Sequence, residues 1–327
     1  MNAYIEKESL RSLISQRNDA RYEECLRMLK RNLKLNFSFS KADAHADPAI
    51  RTWLVGLTTG ALAPRPEYDS TFPNPDVQLS LKDISSDCDK TVERLCAIYL
   101  LDDKEPQRMA TAMLVSYCGN ELDTLSKLYV KEESQEYEDE PSAASIGSWR
   151  VLSAYSTPCT DILISDRYLL SHRSLLSRNL RTIINTLVQK THNLSVNIVI
   201  MVEQNSIDPD IDLDDLSEII KRDVEDVVGK EPNVTFVLCR QHRTPLFHDR
   251  LILTNYRAIT SGDSFNYFNE RGEVKTGGFG IMVSSLAKRS NYVKEKVIET
   301  YCCQLERDVA GAIVQGDKKS NFLKQFR

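Results

Sequence analysis

Between Asp161 and Cys239 three short apolar runs, rich in β-branched residues, alternate with two stretches of helical periodicity, and this order limits the fold more than any other feature of the chain. The runs DILIS at Asp161–Ser165, VNIVIMV at Val196–Val202 and VTFVLC at Val234–Cys239 predict strands. The stretches Tyr168–Lys190 and Leu213–Val228 predict helices. Strands separated by helices become parallel neighbours, because a parallel pair needs a crossover connection rather than a tight turn. Further on, HDRLILT at His248–Thr254 and the run Arg257–Ser261 flank Asn255-Tyr256 and predict a hairpin or tight bend. GIMVSS at Gly280–Ser285 adds a strand, and Asn291–Val309 reads as a closing helix. Residues 148–327 are therefore expected to form an α/β domain with a mixed sheet covered by helices.

The first 130 residues carry a different pattern. Leu10, Leu13 and Ile14, then Tyr22, Cys25, Leu26, Leu29 and Leu33, recur at helical spacing, and Lys90–Leu101, Gln107–Cys118 and Glu121–Tyr129 repeat it. A mainly helical N-terminal domain, 1–130, is expected. Pro64, Pro66, Pro73 and Pro75 make Ala61–Asp76 an irregular or extended connection. Residues 131–147 open with an acidic, nearly aromatic-free stretch that buries little apolar surface, and they read as a linker between two domains.

Apolar residues at 41% and charged residues at 27% are ordinary for a soluble globular protein. With no apolar run of about eighteen residues and a charged N-terminus, neither a transmembrane segment nor a signal peptide is expected, and a cytoplasmic location follows. The eight cysteines form no C-x-x-C pair and sit mostly in apolar stretches, so they read as buried thiols, with no metal site and no cofactor implied. A net charge of −5 excludes indiscriminate coating of nucleic acid, which needs a strong basic excess. Arg167, Arg173, Arg178 and Arg181 with His172 nevertheless predict one positive face on the second domain.

The chemistry concentrates in FHDRLILTNYRAITSGDSFNYF, Phe247–Phe268. This segment resembles the signature of the phospholipase D superfamily, His-x-Lys-x4-Asp-x6-Gly-Ser-x-x-Asn. Laid on that spacing without a gap, His248, Gly262 and Asn266 match, while Arg250 replaces the lysine, Asn255 the aspartate and Asp263 the serine. The preceding strand and helix order is that of one phospholipase-D-like lobe. The His-Asp-Arg variant is similar to the C-terminal module of microtubule-interacting-and-transport proteins, a lobe regarded as non-catalytic. The resemblance covers about half the chain.

The resemblance implies that His248 would attack phosphorus, that Arg250 and Asn266 would hold phosphoryl oxygens, with Gly262 and Asp263 beside them, and that Asn255 would support the histidine. A single copy of the signature is half a machine, so activity requires a homodimer pairing two His248 side chains. Arg250 keeps the positive charge and adds a planar fork suited to phosphate. Asn255 no longer supplies charge, and Asp263 places a carboxylate near the anion site. A like charge at ~4 Å and an effective dielectric of ~20 opposes a phosphate by about 4 kcal/mol.

Other features read as structural. Asp208, Asp210, Asp212, Asp214 and Asp215 lack the glycine and closing glutamate of a calcium loop and suit a helix start. Phe265, Tyr267 and Phe268 suit sheet packing, Lys275–Gly278 a connecting turn and His242 an exposed loop position, while His45 has no partner in the sequence pattern. The expectation is a phosphate-binding or assembly module with weakened or lost catalysis. Its partner would be a nucleic acid, a nucleotide or, less readily, an anionic lipid, with a protein partner taken by the N-terminal domain. The alternative is an active homodimeric phosphodiesterase or nuclease using His248. A role in bacterial defence suits a cytoplasmic protein of this type, though no residue specifies it.

Overall fold

The computed structural model describes residues 1–59, 66–72, 96–102, 114–128, 147–188, 195–240, 250–274, 281–286, 303 and 305–323. The chain divides into two compact units, Met1–Tyr129 with Ser285–Val297, and Val130–Ser284 with Ile298–Arg327. Among the described residues no helix is long and apolar enough to cross a membrane.

The first unit is organised by strands β1 (Asn2–Ile5), β2 (Lys34–Phe37), β3 (Ile98–Leu101) and β4 (Leu114–Tyr117), all parallel in the order β2-β1-β3-β4. Among the described residues its helices are α1 (Lys7–Ser15), α2 (Tyr22–Asn32), α3 (Lys41–Ala46), α4 (Pro48–Thr58) and α5 (Glu121–Leu128). The expectation of a mainly helical domain is corrected by this sheet. Ile98–Leu101 and Leu114–Tyr117 fall inside two stretches read as helices, and Asn2–Ile5 and Lys34–Phe37 carried no strand reading. A short strand buried on both faces shows no alternation, so its apolar run has the same appearance as a buried helical turn. Local hydrogen bonds fix the starts of two helices. Ser40 and Asp43 form a reciprocal cap on α3, and Asp47 accepts from the Ala49 and Ile50 N–H groups with Pro48 at the first helical position of α4.

The second unit carries β5 (Asp161–Ser165), β6 (Asn197–Glu203), β7 (Asn233–Cys239), β8 (Arg250–Leu253), β9 (Arg257–Ser261), β10 (Ile281–Ser285) and β11 (Ile313–Gly316). They form one mixed sheet in the order β10-β9-β8-β5-β6-β7-β11. β5, β6 and β7 are parallel, whereas β8 runs against β5, β9 against β8 and β11 against β7. One face buries Ile162, Ile164, Ile198, Ile200, Phe236 and Ile252 with residues of α6 (Leu180–Leu187) and α7 (Leu213–Val228). Trp149 closes this core edge-on to Phe265 and Phe268, so the aromatics of the signature are packing residues.

Three features depart from or extend the sequence reading. The helix expected over Tyr168–Lys190 begins only at Leu180, with residues 167–179 in turns and a short 3-10 segment at Arg173–Leu175. β11 was not foreseen, because Ile313–Gly316 is largely exposed and has no apolar pattern. Gly316 there has φ of 89°, and a Cβ would lie 2.3 Å from the Val234 carbonyl oxygen, so only glycine lets this strand approach β7. The acidic run is a helix start: Asp212 caps α7 by accepting from the Asp214 and Asp215 N–H groups.

Candidate phosphate site

Strand register decides which residues meet. Ser165 at the end of β5 lies opposite Leu251, which brings Arg250 to the edge where the chain leaves β5 at Asp166. Ser261 lies opposite Arg250, so Gly262 and Asp263 follow at that same edge. This is the C-terminal edge of the parallel strands, the customary place for a ligand in an open α/β sheet.

Asp166 organises the edge. Fully buried, it accepts from the Tyr168 N–H at 2.9 Å through one oxygen, and from the Ser264 hydroxyl at 2.8 Å and the Phe265 N–H at 2.6 Å through the other. One carboxylate thus ties the loop after β5 to the loop after β9. Burial pushes the Asp166 carboxyl up from its ordinary value, while these hydrogen bonds and the charge of Arg250 act in the opposite direction.

Arg250 donates from Nη1 to the Gly262 carbonyl at 2.9 Å, and its Nη2 lies 3.9 Å from Asp263. The Asp263 side chain is 44% exposed, so this long ion pair is worth little, about 1 kcal/mol at most. Asp263 therefore opposes an incoming anion far less than a close buried carboxylate would. Gly262 has no strained φ and open space where a Cβ would stand, so its part is played by its carbonyl.

Asn266 is 5% exposed and spends its amide hydrogens on the loop after β5, donating to the Tyr168 carbonyl at 2.6 Å and the Leu169 carbonyl at 3.0 Å. It braces that loop rather than presenting a donor to the mouth.

Asn255 is not brought to the site. It lies beyond Leu253, and the strand between Arg250 and Leu253 alone spans about 10 Å. Its Oδ1 accepts from the Thr160 N–H at 2.8 Å and its Nδ2 donates to the Thr160 hydroxyl at 3.0 Å. Asn255 anchors the opposite end of the sheet, where Asp161 accepts from the Ser320 hydroxyl, the Asn321 N–H and the Asn321 amide. Burial pushes the Asp161 carboxyl up to about 6.

No family model matches the chain, and no curated protein matches it either. The site is therefore judged on its own geometry.

His248, His242 and Lys275–Gly278 lie outside the described residues. Of the expected positive face, Arg167 pairs with Glu203 and Arg181 binds Asp223 through two hydrogen bonds of 2.6 and 3.0 Å, which leaves His172, Arg173 and Arg178 exposed. Among the described residues no group of three or more His, Cys, Asp and Glu side chains is arranged to hold a metal ion. Asp166, Tyr168 and Ser264 are the contributors that sequence reasoning missed. The signal for Asp166 was a polar residue directly after a buried strand, at the edge where loops carry function, and Tyr168 and Ser264 follow their strands by three residues.

Proposed function

We propose that the second unit is a phosphate-binding or assembly module of the phospholipase D type with weakened or lost catalysis, and that its ligand is a nucleic acid or nucleotide. The observation that carries this reading is Arg250 at the C-terminal edge of the parallel strands, donating to the Gly262 carbonyl with the half-exposed Asp263 carboxylate 3.9 Å away. A phosphate can displace such a carboxylate and gain a charge-assisted contact with a planar fork. Two features favour binding over turnover. Asn255 serves the far end of β8, and the donor of Asn266 is committed to backbone carbonyls.

Binding of a fluorescein-labelled oligonucleotide, titrated at several salt concentrations, tests the reading. Arg250→Ala is expected to weaken affinity about tenfold and to flatten the salt dependence by about one phosphate contact. Unchanged affinity would leave the lobe as architecture only. Hydrolysis of bis-p-nitrophenyl phosphate by the purified protein, abolished in His248→Ala, would instead establish the homodimeric phosphodiesterase.

A further inference from the structure

We propose that Tyr168 is a base-stacking platform beside Arg250, so that the ligand of the site is single-stranded nucleic acid or a nucleotide and is recognised by a base as well as by its phosphate. The inference rests on the phosphate-binding reading above and gives it a substrate class.

Tyr168 stands three residues past the end of a fully buried strand and is 37% exposed, although Leu169 and Leu170 directly after it are completely buried. Its backbone is held on both sides. The N–H is taken by Asp166 and the carbonyl by Asn266, at 2.9 and 2.6 Å. Since Asp166 also holds Ser264 and Phe265, the ring and the Arg250–Gly262–Asp263 mouth are fastened to one buried carboxylate. An aromatic with two χ angles on a pinned backbone loses little entropy when a base stacks on it.

The Arg167 guanidinium lies 5.0 Å from the Tyr168 ring centre and is itself held by Glu203. The Arg167 charge is matched by Glu203, so the attraction for a sugar-phosphate chain falls to Arg250 and to exposed Arg173. Exposed His172 and Arg173 continue the same loop, with Asp208, which accepts from the Arg173 N–H, as the opposing charge. Stacking plus cations is the chemistry of sequence-tolerant single-strand binding. A lipid headgroup or a bare polyphosphate has no π face to use it.

The test titrates the full chain with fluorescein-labelled oligothymidylate and, in competition, with inorganic polyphosphate. Tyr168→Ala is expected to weaken oligothymidylate binding roughly tenfold or more while leaving polyphosphate binding within about twofold, and Tyr168→Trp to restore it. Arg250→Ala is expected to weaken both. If Tyr168→Ala leaves oligothymidylate binding unchanged while Arg250→Ala weakens it, the platform is refuted and the phosphate site stands. If Arg250→Ala changes neither ligand, the phosphate reading falls and the platform with it. Binding of phosphatidylserine vesicles in place of oligothymidylate would overturn the proposal in favour of a membrane surface. Thermal melts of both tyrosine variants guard against misfolding, which the exposed ring makes a small risk.

Discussion

Both units end their parallel strands on carboxylates, and they use them differently. In the first, Glu6 after β1 accepts from the Asp102 N–H at 2.7 Å, Asp102 after β3 accepts from the Ser9 N–H at 2.7 Å, and buried Glu121 gathers Ser9, Ser12, Gln16 and the Gly119 N–H. These acids are met by donors of their own unit and close the edge on itself. In the second unit Asp166 is met as fully, but the loops it fastens carry the Arg250 cation and the exposed Tyr168 ring. A saturated carboxylate is architecture, and binding capacity lies in what it holds toward solvent. Buried polar groups are costly unless paired, so evidence for a ligand has to be sought in their partly exposed neighbours.

The sharpest way to break this contrast is Glu121→Ala, which strands the buried Ser9 hydroxyl together with the half-buried Ser12 and Gln16 donors. A loss of about 3 kcal/mol or more from the first unit is expected, with oligonucleotide affinity unchanged; hydrogen exchange resolved by unit would report it. Next comes Gly316→Ala, which drives a methyl group into the Val234 carbonyl and should cost about 3 kcal/mol in urea denaturation.

The closed N-terminal edge of the second sheet makes a pH prediction. Asp161 titrates near 6 when folded against an ordinary value of 3.8, so its contribution to stability is fully present below the ordinary value and is lost as pH rises through the folded one. Lowering the pH from about 7 to 4 should therefore add on the order of 2 kcal/mol through this group. Asp308, also raised to about 6, acts in the same window, so the measurement is the difference between wild type and Asp161→Asn. A wild-type profile parallel to that of the variant would refute the assignment. The smallest effect belongs to Gly262→Ala, where stability should stay within about 0.5 kcal/mol and phosphate affinity should hold, because its carbonyl rather than its lack of a side chain serves Arg250.

The parts of the molecule legible in the sequence are those with a local cause. α7 runs over Leu213–Val228, as its periodicity and the preceding aspartates require, and the hairpin turn at Asn255-Tyr256 lies between β8 and β9. The aromatics Phe265, Tyr267 and Phe268 are core residues, as their pattern suggests. The turns at 167–179 were illegible because their backbone groups are satisfied by distant side chains. Asn266 takes the Tyr168 and Leu169 carbonyls and Asp208 takes the Arg173 N–H, so no helix is needed to pair them. Asn255 was misleading for a related reason. A spacing places it in a motif, but a straight strand carries it away from Arg250.

By itself the sequence determined the α/β alternation of residues 161–239, the capped start of α7 and the presence of a cation, a glycine and an asparagine at phosphate-motif spacing, because periodicity and capping act over a few neighbouring residues. Only the tertiary structure decided that the first unit is built on a sheet, that Asn255 anchors the far end of another, and that Asp166, Tyr168 and Arg250 share one edge. Strand pairing joins residues far apart in the chain, and a side chain's role follows from the end of the strand at which that pairing leaves it.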